Sequence, residues 1–424
     1  MSGPALPDSS TAATGWTPVL TSDQVTSTPV SVGHAGCDWV LVRLAPAGTV
    51  SVFPAHCPHR LVPLAAASVV DGQLQCRYHG WRFDAAGTCT AVPSGPEGSN
   101  VPPRAHLADV PQVREMDGQV WLAQHAGPPG RPTGDPELLR NDDARLSAAW
   151  HPVALAPEVT AAGVDVRLLG RTWSLQRSTD GALSARPTPH ALTERWGLVW
   201  LAPERPRLDI FDDPDEEDES SVGEWLRPLR TPVAAGLSAD NFLDVAHFPF
   251  VHVGTFGAGS ARVVPDYDVE LERGGFRSVQ VQPFDNPEDP GVASGERPVR
   301  QTRRATYVYR APFQLMLRLE ELEAGATKTI LFFAQPEQQG STRLYTKMLL
   351  RGIGGVERPG ADVVAREVAF EDAVLAEDLA LQQVMDTPGL PLDLPHELHV
   401  RADRLGVALR RTLRAWLEDG EAQA

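Results

Sequence analysis

The sequence predicts an α+β protein, with a β-rich N-terminal part and a C-terminal domain that combines long antiparallel strands with long helices. Short apolar runs such as WVLVRL and GQVWLA, separated by Gly and Pro, predict β-strands in the first part of the chain. Longer alternating runs such as RATYVYRAPFQLMLRLEELE predict antiparallel strands in the second part. Two helical patterns, at 362–387 and 396–418, close the chain.

The composition is that of a globular protein with room for two or three domains. Of its 424 residues, 42% are hydrophobic and 22% are charged. No apolar run reaches the roughly 18 residues of a membrane-spanning helix, so we expect no membrane partner. The formal net charge of −17 argues against a nucleic-acid partner, which would favour a basic face. Four cysteines are too few for a disulfide scaffold, so we expect a reducing, cytoplasmic location.

Shifts in composition divide the chain into six predicted segments. The first residues lack the basic and apolar stretches of a signal peptide and predict a disordered tail. The stretch GPPGRPTGDPE predicts a linker, and the acidic stretch DIFDDPDEEDESS predicts a solvated loop. The predicted segments are a tail at 1–15, a β domain at 16–126, a linker at 127–147, a second β unit at 148–205, an acidic loop at 206–225 and a C-terminal domain at 226–424.

Two short clusters in the first β domain each contain one Cys and one His. Cys57 and His59 form the first, and Cys76 and His79 form the second, in the pattern C-x-H-x16-C-x2-H. A zinc site is the alternative, but zinc modules usually pair Cys with Cys at short spacing. Mixed clusters suit a [2Fe–2S] centre in which thiolates hold one iron and neutral imidazoles hold the other, which raises the reduction potential.

A second group of ligand-type residues lies in SADNFLDVAHFPFVH, residues 238–252. Asp244 and His247 are three residues apart, which predicts that they share a helix face. Pro249 interrupts the helix, so that His252 can approach from another direction. Two imidazoles and one carboxylate on one side of a metal form the facial triad of non-haem Fe(II) oxygenases, with positions open for O2 and substrate.

These motifs resemble those of one enzyme family. The Cys and His pattern, followed by G-W-x-F-D-x-x-G, resembles the Rieske domain of ring-hydroxylating oxygenases, and N-x2-D-x2-H-x4-H resembles their mononuclear iron motif. The stretch D-N-F-L-D is similar to the vanillate-demethylase type. The resemblance implies a Rieske [2Fe–2S] cluster on the four Cys and His residues, Fe(II) on His247 and His252, and a helix-grip catalytic domain at 226–424.

The resemblance also implies the remaining site residues. The family takes its third iron ligand from a C-terminal helix, in a segment resembling E-D-x4-E-x-Q. The match points to Asp372, with Glu371 as the fallback ligand and an acidic helix surface as the alternative. In the family, the residue matching Asp244 bridges an iron-ligating His and a cluster-ligating His of the neighbouring subunit. Asn241 is expected to line the iron pocket.

The activity implied is that of a Rieske non-haem iron oxygenase, which hydroxylates or oxidatively demethylates a small organic substrate, aromatic or a natural product. Electrons would come from NAD(P)H through a separate reductase, a ferredoxin or both, because the sequence has no dinucleotide fingerprint. The family implies a homotrimer. The alternatives are a cis-dihydroxylating aromatic dioxygenase and, from another class, a Rieske electron carrier or an inactive regulator.

The second β unit repeats part of the first. The run GQVWLA at 118 resembles GLVWLA at 197, at an offset of 79. The second unit contains no Cys and therefore cannot bind a Rieske cluster. We predict that 148–205 is a degenerate, cluster-free Rieske-like unit; chance similarity of Trp- and Val-rich strands is the alternative. The residues that match at an offset of 134 are Trp16 and Trp150, Pro18 and Pro152, Trp39 and Trp173, and Arg43 and Arg177.

Overall fold

The structure is a computed structural model that describes residues 15–419, except 47, 97, 99–100, 108, 126–136, 213, 217, 258–260 and 288. The predicted tail, apart from Gly15, and much of the predicted linker therefore lie outside the described residues. By its contacts the chain divides into two units. The first comprises residues 1–134 with 395–398, and the second comprises 135–394 with 399–424. Among the described helices, none is long and apolar enough to cross a membrane.

The first unit consists of three small antiparallel sheets. Their strand orders are β1-β10-β9, β2-β3-β4 and β5-β6-β7-β8. The runs WVLVRL and GQVWLA, predicted as strands, lie in β3 and β10. The strands are β1 (Trp16–Thr21), β2 (Val30–His34), β3 (Cys37–Arg43), β4 (Val50–Pro54), β5 (Ser68–Val70), β6 (Gln73–Gln75), β7 (Arg82–Phe83), β8 (Cys89–Ala91), β9 (Val113–Met116) and β10 (Gln119–Ala123).

The core of the first unit lies between its first two sheets, because alternate residues of these strands point inward. Trp39 and Leu41 of β3 pack with Val120 and Leu122 of β10, and all four side chains are buried. Burying each such side chain contributes about 1.5–3 kcal/mol. The third sheet, β5–β8, is inserted between β4 and β9 and lies beside the Cys and His loops in the sequence.

Residues 148–205 form two further three-stranded sheets within the second unit. Their strand orders are β12-β17-β16 and β13-β14-β15. A short strand pair, β11 with β26, lies outside them. The strands are β11 (Leu138–Leu139), β12 (His151–Leu155), β13 (Val164–Leu168), β14 (Arg171–Arg177), β15 (Leu183–Arg186), β16 (Ala191–Arg195), β17 (Leu198–Ala202) and β26 (Leu390–Pro391).

The C-terminal domain is built on one eight-stranded antiparallel sheet. The strand order is β18-β25-β24-β23-β22-β21-β20, and β19 also pairs with β25. The long alternating runs of the sequence form its four central strands, as predicted. The strands are β18 (Val222–Trp225), β19 (Leu229–Thr231), β20 (Glu270–Glu272), β21 (Gly275–Asp285), β22 (Arg300–Arg310), β23 (Gln314–Glu321), β24 (Ala326–Gln338) and β25 (Ser341–Arg351).

The two faces of this sheet are covered differently. Helices α1 and α5 pack on the inner face, where Leu409 and Trp416 of α5 meet Phe276 and Tyr307 of the sheet. On the outer face, β17 of the 148–205 region packs through Trp200. The predicted α+β class, with an antiparallel sheet and long C-terminal helices, is confirmed. The helices are α1 (Ala235–Leu243), α2 (Phe248–Val251), α3 (Pro290–Ala293), α4 (Ala361–Gln382) and α5 (Arg404–Glu418).

The acidic stretch that was predicted as a solvated loop is partly buried. Phe211 and Asp215 are at most 6% exposed, and Thr329 Oγ1 of the sheet donates to Asp215 Oδ2 (2.6 Å). The predicted loop at 206–225 also includes strand β18 at its end.

Two further local predictions need correction. The last helix begins at Arg404, not near residue 396, and short 3₁₀ turns occupy the intervening segment after Pro395. Asp244 and His247 do not share a helix face, because α1 ends at Leu243 and Asp244 has extended backbone angles. The Asp244 carboxylate instead accepts the backbone N–H groups of Ala246 (2.7 Å) and His247 (3.2 Å). An Asp side chain that caps a turn in this way competes with helix continuation.

Candidate metal centres

The two Cys and His loops of the first unit have the same backbone pattern. In the first loop, Cys57 N–H donates to the Val62 carbonyl (2.9 Å), and Leu61 N–H donates to the Cys57 carbonyl (3.1 Å). In the second loop, Cys76 N–H donates to the Trp81 carbonyl (2.9 Å), and Gly80 N–H donates to the Cys76 carbonyl (3.1 Å). Each loop is therefore a tight turn that presents one Cys and one His.

Each turn contains one residue in the left-handed region. This residue is Leu61 (φ 54°) in the first turn and Gly80 (φ 66°) in the second. Glycine enters this region without penalty, whereas a leucine enters it at a cost that the rest of the loop must offset.

The loops bring the four predicted ligands together in a buried site. His59 Nδ1 and His79 Nδ1 lie 3.1 Å apart, as two ligands of one iron require. All four side chains are at most 3% exposed. The ring of Trp81 stacks on His59, with 4.7 Å between ring centroids and 9° between planes. The predicted ligands Cys57, His59, Cys76 and His79 therefore fit a [2Fe–2S] cluster.

The two thiols contact each other, and this contact affects their acidity. A hydrogen bond with Cys57 lowers the pKa of the Cys76 thiol to about 7, against the opposing effect of burial. Burial, together with the same contact, raises the pKa of Cys57. The pKa of Cys76 is thus shifted towards the thiolate, which is the form of cysteine that binds iron.

A second group of ligand atoms lies in the second unit. His247 Nε2 and His252 Nε2 are 3.0 Å apart, and Asp378 Oδ1 lies 3.5 Å from each of them. One ligand atom of each residue falls within 4.8 Å of the others. Both imidazoles are at most 2% exposed. Two imidazoles and one carboxylate that meet at one point fit a mononuclear non-haem Fe(II) site.

The carboxylate of this group is Asp378, which corrects the prediction of Asp372. Both residues lie on α4, but six residues correspond to about one and two-thirds turns, so their side chains leave the helix on different sides. Asp372 is exposed, whereas the two histidines are buried. Glu371, the fallback ligand, lies about two turns before Asp378, and burial raises its pKa to about 7.

The signal that identifies Asp378 is present in the sequence. The pair Glu-Asp occurs twice on α4, at 371–372 and at 377–378. Only the docking of α4 determines which pair faces the histidines. Sequence reasoning also missed Glu377, whose carboxylate lies 3.1 Å from His252 Nδ1.

Asn241 and Asp244, which were predicted to lie beside the iron site, contact residues of this group. Asn241 Nδ2 donates to Asp378 Oδ1 (3.2 Å), and its carbonyl oxygen accepts from Gln382 Nε2 (2.8 Å). Asp244 Oδ1 lies 3.5 Å from His247 Nδ1, and its side chain is 7% exposed. Burial lowers the pKa of His247, but hydrogen bonds with Asp244 and Asp378 outweigh it and raise the pKa to about 9. The carboxylates thus attract positive charge to this site.

A narrow cavity opens beside Asp378. Its polar part includes Asn241, Gln382 and Asp378, and Arg227 also lines it. Phe242 and Phe332 stack against each other there, with ring centroids 4.8 Å apart. The apolar lining residues are Leu229, Phe242, Phe332, Leu344, Leu375 and Leu379.

Two family models match the sequence. The Rieske [2Fe–2S] domain matches residues 15–111, which include both Cys and His loops. The vanillate O-demethylase oxygenase C-terminal domain matches residues 232–419, which include His247, His252 and Asp378. The two matches lie on either side of the 148–205 region.

Three demethylases or demethylase components are similar to this chain in sequence. Probable methylxanthine N7-demethylase NdmC from Pseudomonas sp. (strain TJI-51) is 30% identical over 289 residues, which cover 64% of this chain and 93% of that relative. Methylxanthine N1-demethylase NdmA from Pseudomonas putida is 22% identical over 404 residues, 94% of this chain and 87% of the relative. The oxygenase component of dicamba O-demethylase from Stenotrophomonas maltophilia is 35% identical over 109 residues, 26% of this chain and 30% of the relative.

Proposed function

This chain belongs to the Rieske non-haem iron oxygenases, and we propose that it is the terminal oxygenase of a multicomponent system that demethylates or hydroxylates a small, largely apolar substrate. Membership confirms the resemblance that the motifs indicated. The chain is accordingly an oxidoreductase that uses O2, with a Rieske [2Fe–2S] cluster and a mononuclear iron as its cofactors. When bound, these groups supply electron transfer and O2 activation.

One observation carries the proposal: the same chain contains two buried groups of side chains, each of which suits an iron centre. A stand-alone electron carrier needs only Cys57, His59, Cys76 and His79. Such a carrier does not require a second group of ligand-type side chains like that of His247, His252 and Asp378. We propose that these three residues would hold a mononuclear iron, which would supply O2 activation.

The neighbouring polar residues have separate roles in this proposal. Asn241 donates to Asp378 and accepts from Gln382, so it restrains the carboxylate ligand and lines the cavity. We propose that the substrate enters this cavity. Phe242, Phe332 and the leucines would hold an apolar, planar body, while Asn241 and Gln382 would meet its polar groups.

Demethylation is the reaction that we favour over cis-dihydroxylation. Two relatives of which this chain covers 93% and 87% are named as N-demethylases, and a further one is named as an O-demethylase component. A substrate with an N-methyl or O-methyl group on an aromatic ring fits both the apolar lining and these names. Demethylation would begin with hydroxylation of that methyl group, because an N- or O-hydroxymethyl group then breaks its C–N or C–O bond, releases formaldehyde and leaves an N–H or O–H group on the ring.

Electrons must reach the chain from a separate protein. We propose an NAD(P)H-dependent reductase, alone or with a ferredoxin, as the donor. We also propose a cytoplasmic location, because none of the four cysteines forms a disulfide. We also propose a head-to-tail homotrimer in which the cluster of one subunit serves the iron of the next. Asp244, buried against His247, would connect the two centres.

We propose a structural role for residues 148–205. Their strand order repeats that of the first unit, and they contain no Cys. In the second unit they pack through Trp200 against Phe333 on the outer face of the sheet, with ring centroids 5.0 Å apart. A degenerate copy of the cluster domain that supports the catalytic sheet accounts for both observations.

Iron content and turnover test the function. We expect about three irons per chain, two in the cluster and one in the mononuclear site. With a surrogate reductase, NADH and a panel of N-methyl and O-methyl aromatic compounds, O2 uptake should match the formaldehyde released. Two irons per chain and no coupled O2 uptake would instead indicate an electron carrier.

A mixing experiment tests the trimer. Cys57→Ser subunits lack the cluster, and His247→Ala subunits lack the mononuclear iron. If electrons cross between subunits, co-expressed mixtures regain part of the activity that each variant has lost. Mixed assemblies that remain inactive, while each variant retains its other metal centre, place electron transfer within one chain.

A further inference from the structure

Glu377 contacts the ring edge of His252 that faces away from His247 and Asp378. His252 Nδ1 donates to Glu377 Oε2 at 3.1 Å, while His252 Nε2 lies with His247 Nε2 and Asp378 at the ligand meeting point. The two nitrogens of one imidazole thus have different partners. Metal-ligating histidines commonly donate their second N–H to a carboxylate, which sets the tautomer and the ring orientation.

The Glu377 carboxylate is itself held in place by the loop that follows His252. Gly254 N–H donates to Glu377 Oε1 (2.7 Å), and Thr255 Oγ1 donates to Oε2 (2.7 Å). Together with His252 Nδ1, these groups make three donors within residues 252–255 that share the Glu377 carboxylate. Since Glu377 and Asp378 are neighbours on α4, these bonds tie the loop that carries His252 to the helix that carries Asp378.

The position of Gly254 leaves no room for a side chain beside this carboxylate. A Cβ atom at this position would lie 2.7 Å from Glu377 Oε1, which is closer than van der Waals contact allows. The backbone of Gly254 is not in the left-handed region, so an alanine there would conflict only with the end of the Glu377 side chain, which would have to shift. The present position of the carboxylate therefore depends on a residue without a Cβ atom at position 254.

The other histidine has its own carboxylate. Asp244 Oδ1 lies 3.5 Å from His247 Nδ1, on the edge of the ring away from Asp378. Each imidazole is thus placed between a carboxylate at Nδ1 and the meeting point at Nε2. The two acids differ in their distance along the sequence from the histidine that they contact. Asp244 lies three residues before His247, whereas Glu377 lies 125 residues after His252.

We propose that Glu377 is a positioning residue, which holds His252 with Nδ1 protonated and Nε2 directed at the mononuclear iron. This proposal rests on the proposed function, because it assumes that His252 binds iron. It assigns different tasks to two adjacent acids: Asp378 meets the metal, and Glu377 orients a ligand of that metal.

Fe(II) binding to the protein with an intact cluster and an emptied mononuclear site tests the proposal. The readouts are Fe(II) affinity, measured anaerobically by chelator competition, and the EPR spectrum of the nitric oxide adduct. Glu377→Ala should weaken Fe(II) binding by roughly 10- to 100-fold and change the nitrosyl spectrum. Glu377→Gln keeps an oxygen acceptor for His252 and should recover most of the affinity. The cluster EPR signal serves as the control for folding.

Two loop variants separate orientation from charge. Gly254→Ala retains the negative charge but displaces the carboxylate, so its Fe(II) affinity should fall towards that of Glu377→Ala. Thr255→Val removes one donor to Glu377 and leaves the His252 contact, so its affinity should stay within a few-fold of wild type. Wild-type affinity in Glu377→Ala, or a Glu377→Gln affinity no better than that of Glu377→Ala, contradicts the proposal.

The outcomes for the proposed function are distinct. A wild-type protein that binds Fe(II) tightly but shows no O2-dependent turnover contradicts the function and leaves the role of Glu377 intact. A wild-type protein that binds no Fe(II) at this site contradicts both.

Discussion

The first unit and residues 148–205 build the same arrangement of two three-stranded sheets from very different lengths of chain. The first edge strand of each has an irregularity at the same place, between Pro18 and Leu20 in β1 and between Pro152 and Ala154 in β12. An Arg at the end of the third strand pairs with a Glu in both, Arg43 with Glu115 and Arg177 with Glu194. The strand framework is therefore common to both regions.

The difference lies in one connection. In the first unit, residues 55–112 join β4 to β9 and contain all four cluster ligands. In the second region, only residues 187–190 join β15 to β16. Residues 148–205 have this framework without the ligand loops, so the arrangement of the two sheets does not require the metal site.

A second difference concerns burial. Trp121 in β10 and Trp200 in β17 occupy matching positions, but Trp121 is partly exposed and Trp200 is 0% exposed. Strand β17 is buried along its whole length, because one face packs within its own region and the other packs on the catalytic sheet. The same strand pattern thus serves as a solvent-facing sheet in one place and as a central layer in the other.

The largest expected effect is on the Rieske EPR signal, which should depend on a histidine of the first unit and not on one of residues 148–205. His79→Ala should abolish the Rieske EPR signal of the reduced protein, because one of the two nitrogen ligands is lost. His190→Ala, in the region without Cys, should leave the signal at full intensity. A Rieske signal that survives in His79→Ala would show that the ligand assignment is wrong.

The next effect concerns the buried layer. Trp200→Ala should lower the free energy of unfolding of the second unit by about 3–5 kcal/mol, because it leaves a large cavity between two sheets. The matched variant Trp121→Ala should lower the free energy of unfolding of the first unit by clearly less, since Trp121 is partly exposed. Urea unfolding followed by tryptophan fluorescence and circular dichroism measures both. Equal losses of unfolding free energy in the two variants would mean that packing of residues 148–205 on the outer face of the sheet adds no stability.

A pH effect distinguishes His151, at the start of β12, from Thr17 at the matching position of β1. His151 Nε2 donates to the Leu146 carbonyl (2.8 Å), and burial lowers the pKa of His151 to about 4. The unfolded chain takes up this proton near pH 6.5, but the folded protein does so only near pH 4. The free energy of unfolding should therefore fall as the pH drops between these values, by roughly 3 kcal/mol from this group.

His151→Gln provides the control, because glutamine can donate to Leu146 but does not titrate. The difference in unfolding free energy between wild type and variant should be constant above pH 7 and should change steadily between pH 6.5 and 4. A difference that does not vary with pH would show that His151 is not buried as a neutral group.

The smallest expected effect concerns the ligand loops that only the first unit has. Leu61 adopts a left-handed backbone conformation, as Gly80 does in the matching turn. Leu61→Gly should raise the free energy of unfolding of the first unit by up to about 1 kcal/mol, since relief of strain exceeds the added entropy of the unfolded chain. Thermal unfolding followed through the cluster absorbance measures it. A loss of more than 1 kcal/mol would show that the Leu61 side chain contributes more by packing than its backbone costs.

The sequence by itself determined what is local. Cys57 and His59, like Cys76 and His79, are joined by turns of a few residues, so their spacing already implied a shared cofactor. His247 and His252 were recognisable for the same reason. The strands and the two long C-terminal helices followed from their periodic patterns, and the offset of 134 between Trp39 and Trp173 anticipated the matching strand order of the two regions.

The tertiary structure decided everything that depends on how distant segments meet. Two Glu-Asp pairs lie on α4, and both have the right composition, but only the docking of that helix selects Asp378 instead of Asp372 for the histidines. The same docking brings Glu377 to His252. The turn at Asp244 depended on a competition between helix continuation and capping by the side chain. Local spacing cannot settle such choices, because helix periodicity places several residues on each face and only packing selects the face that is buried.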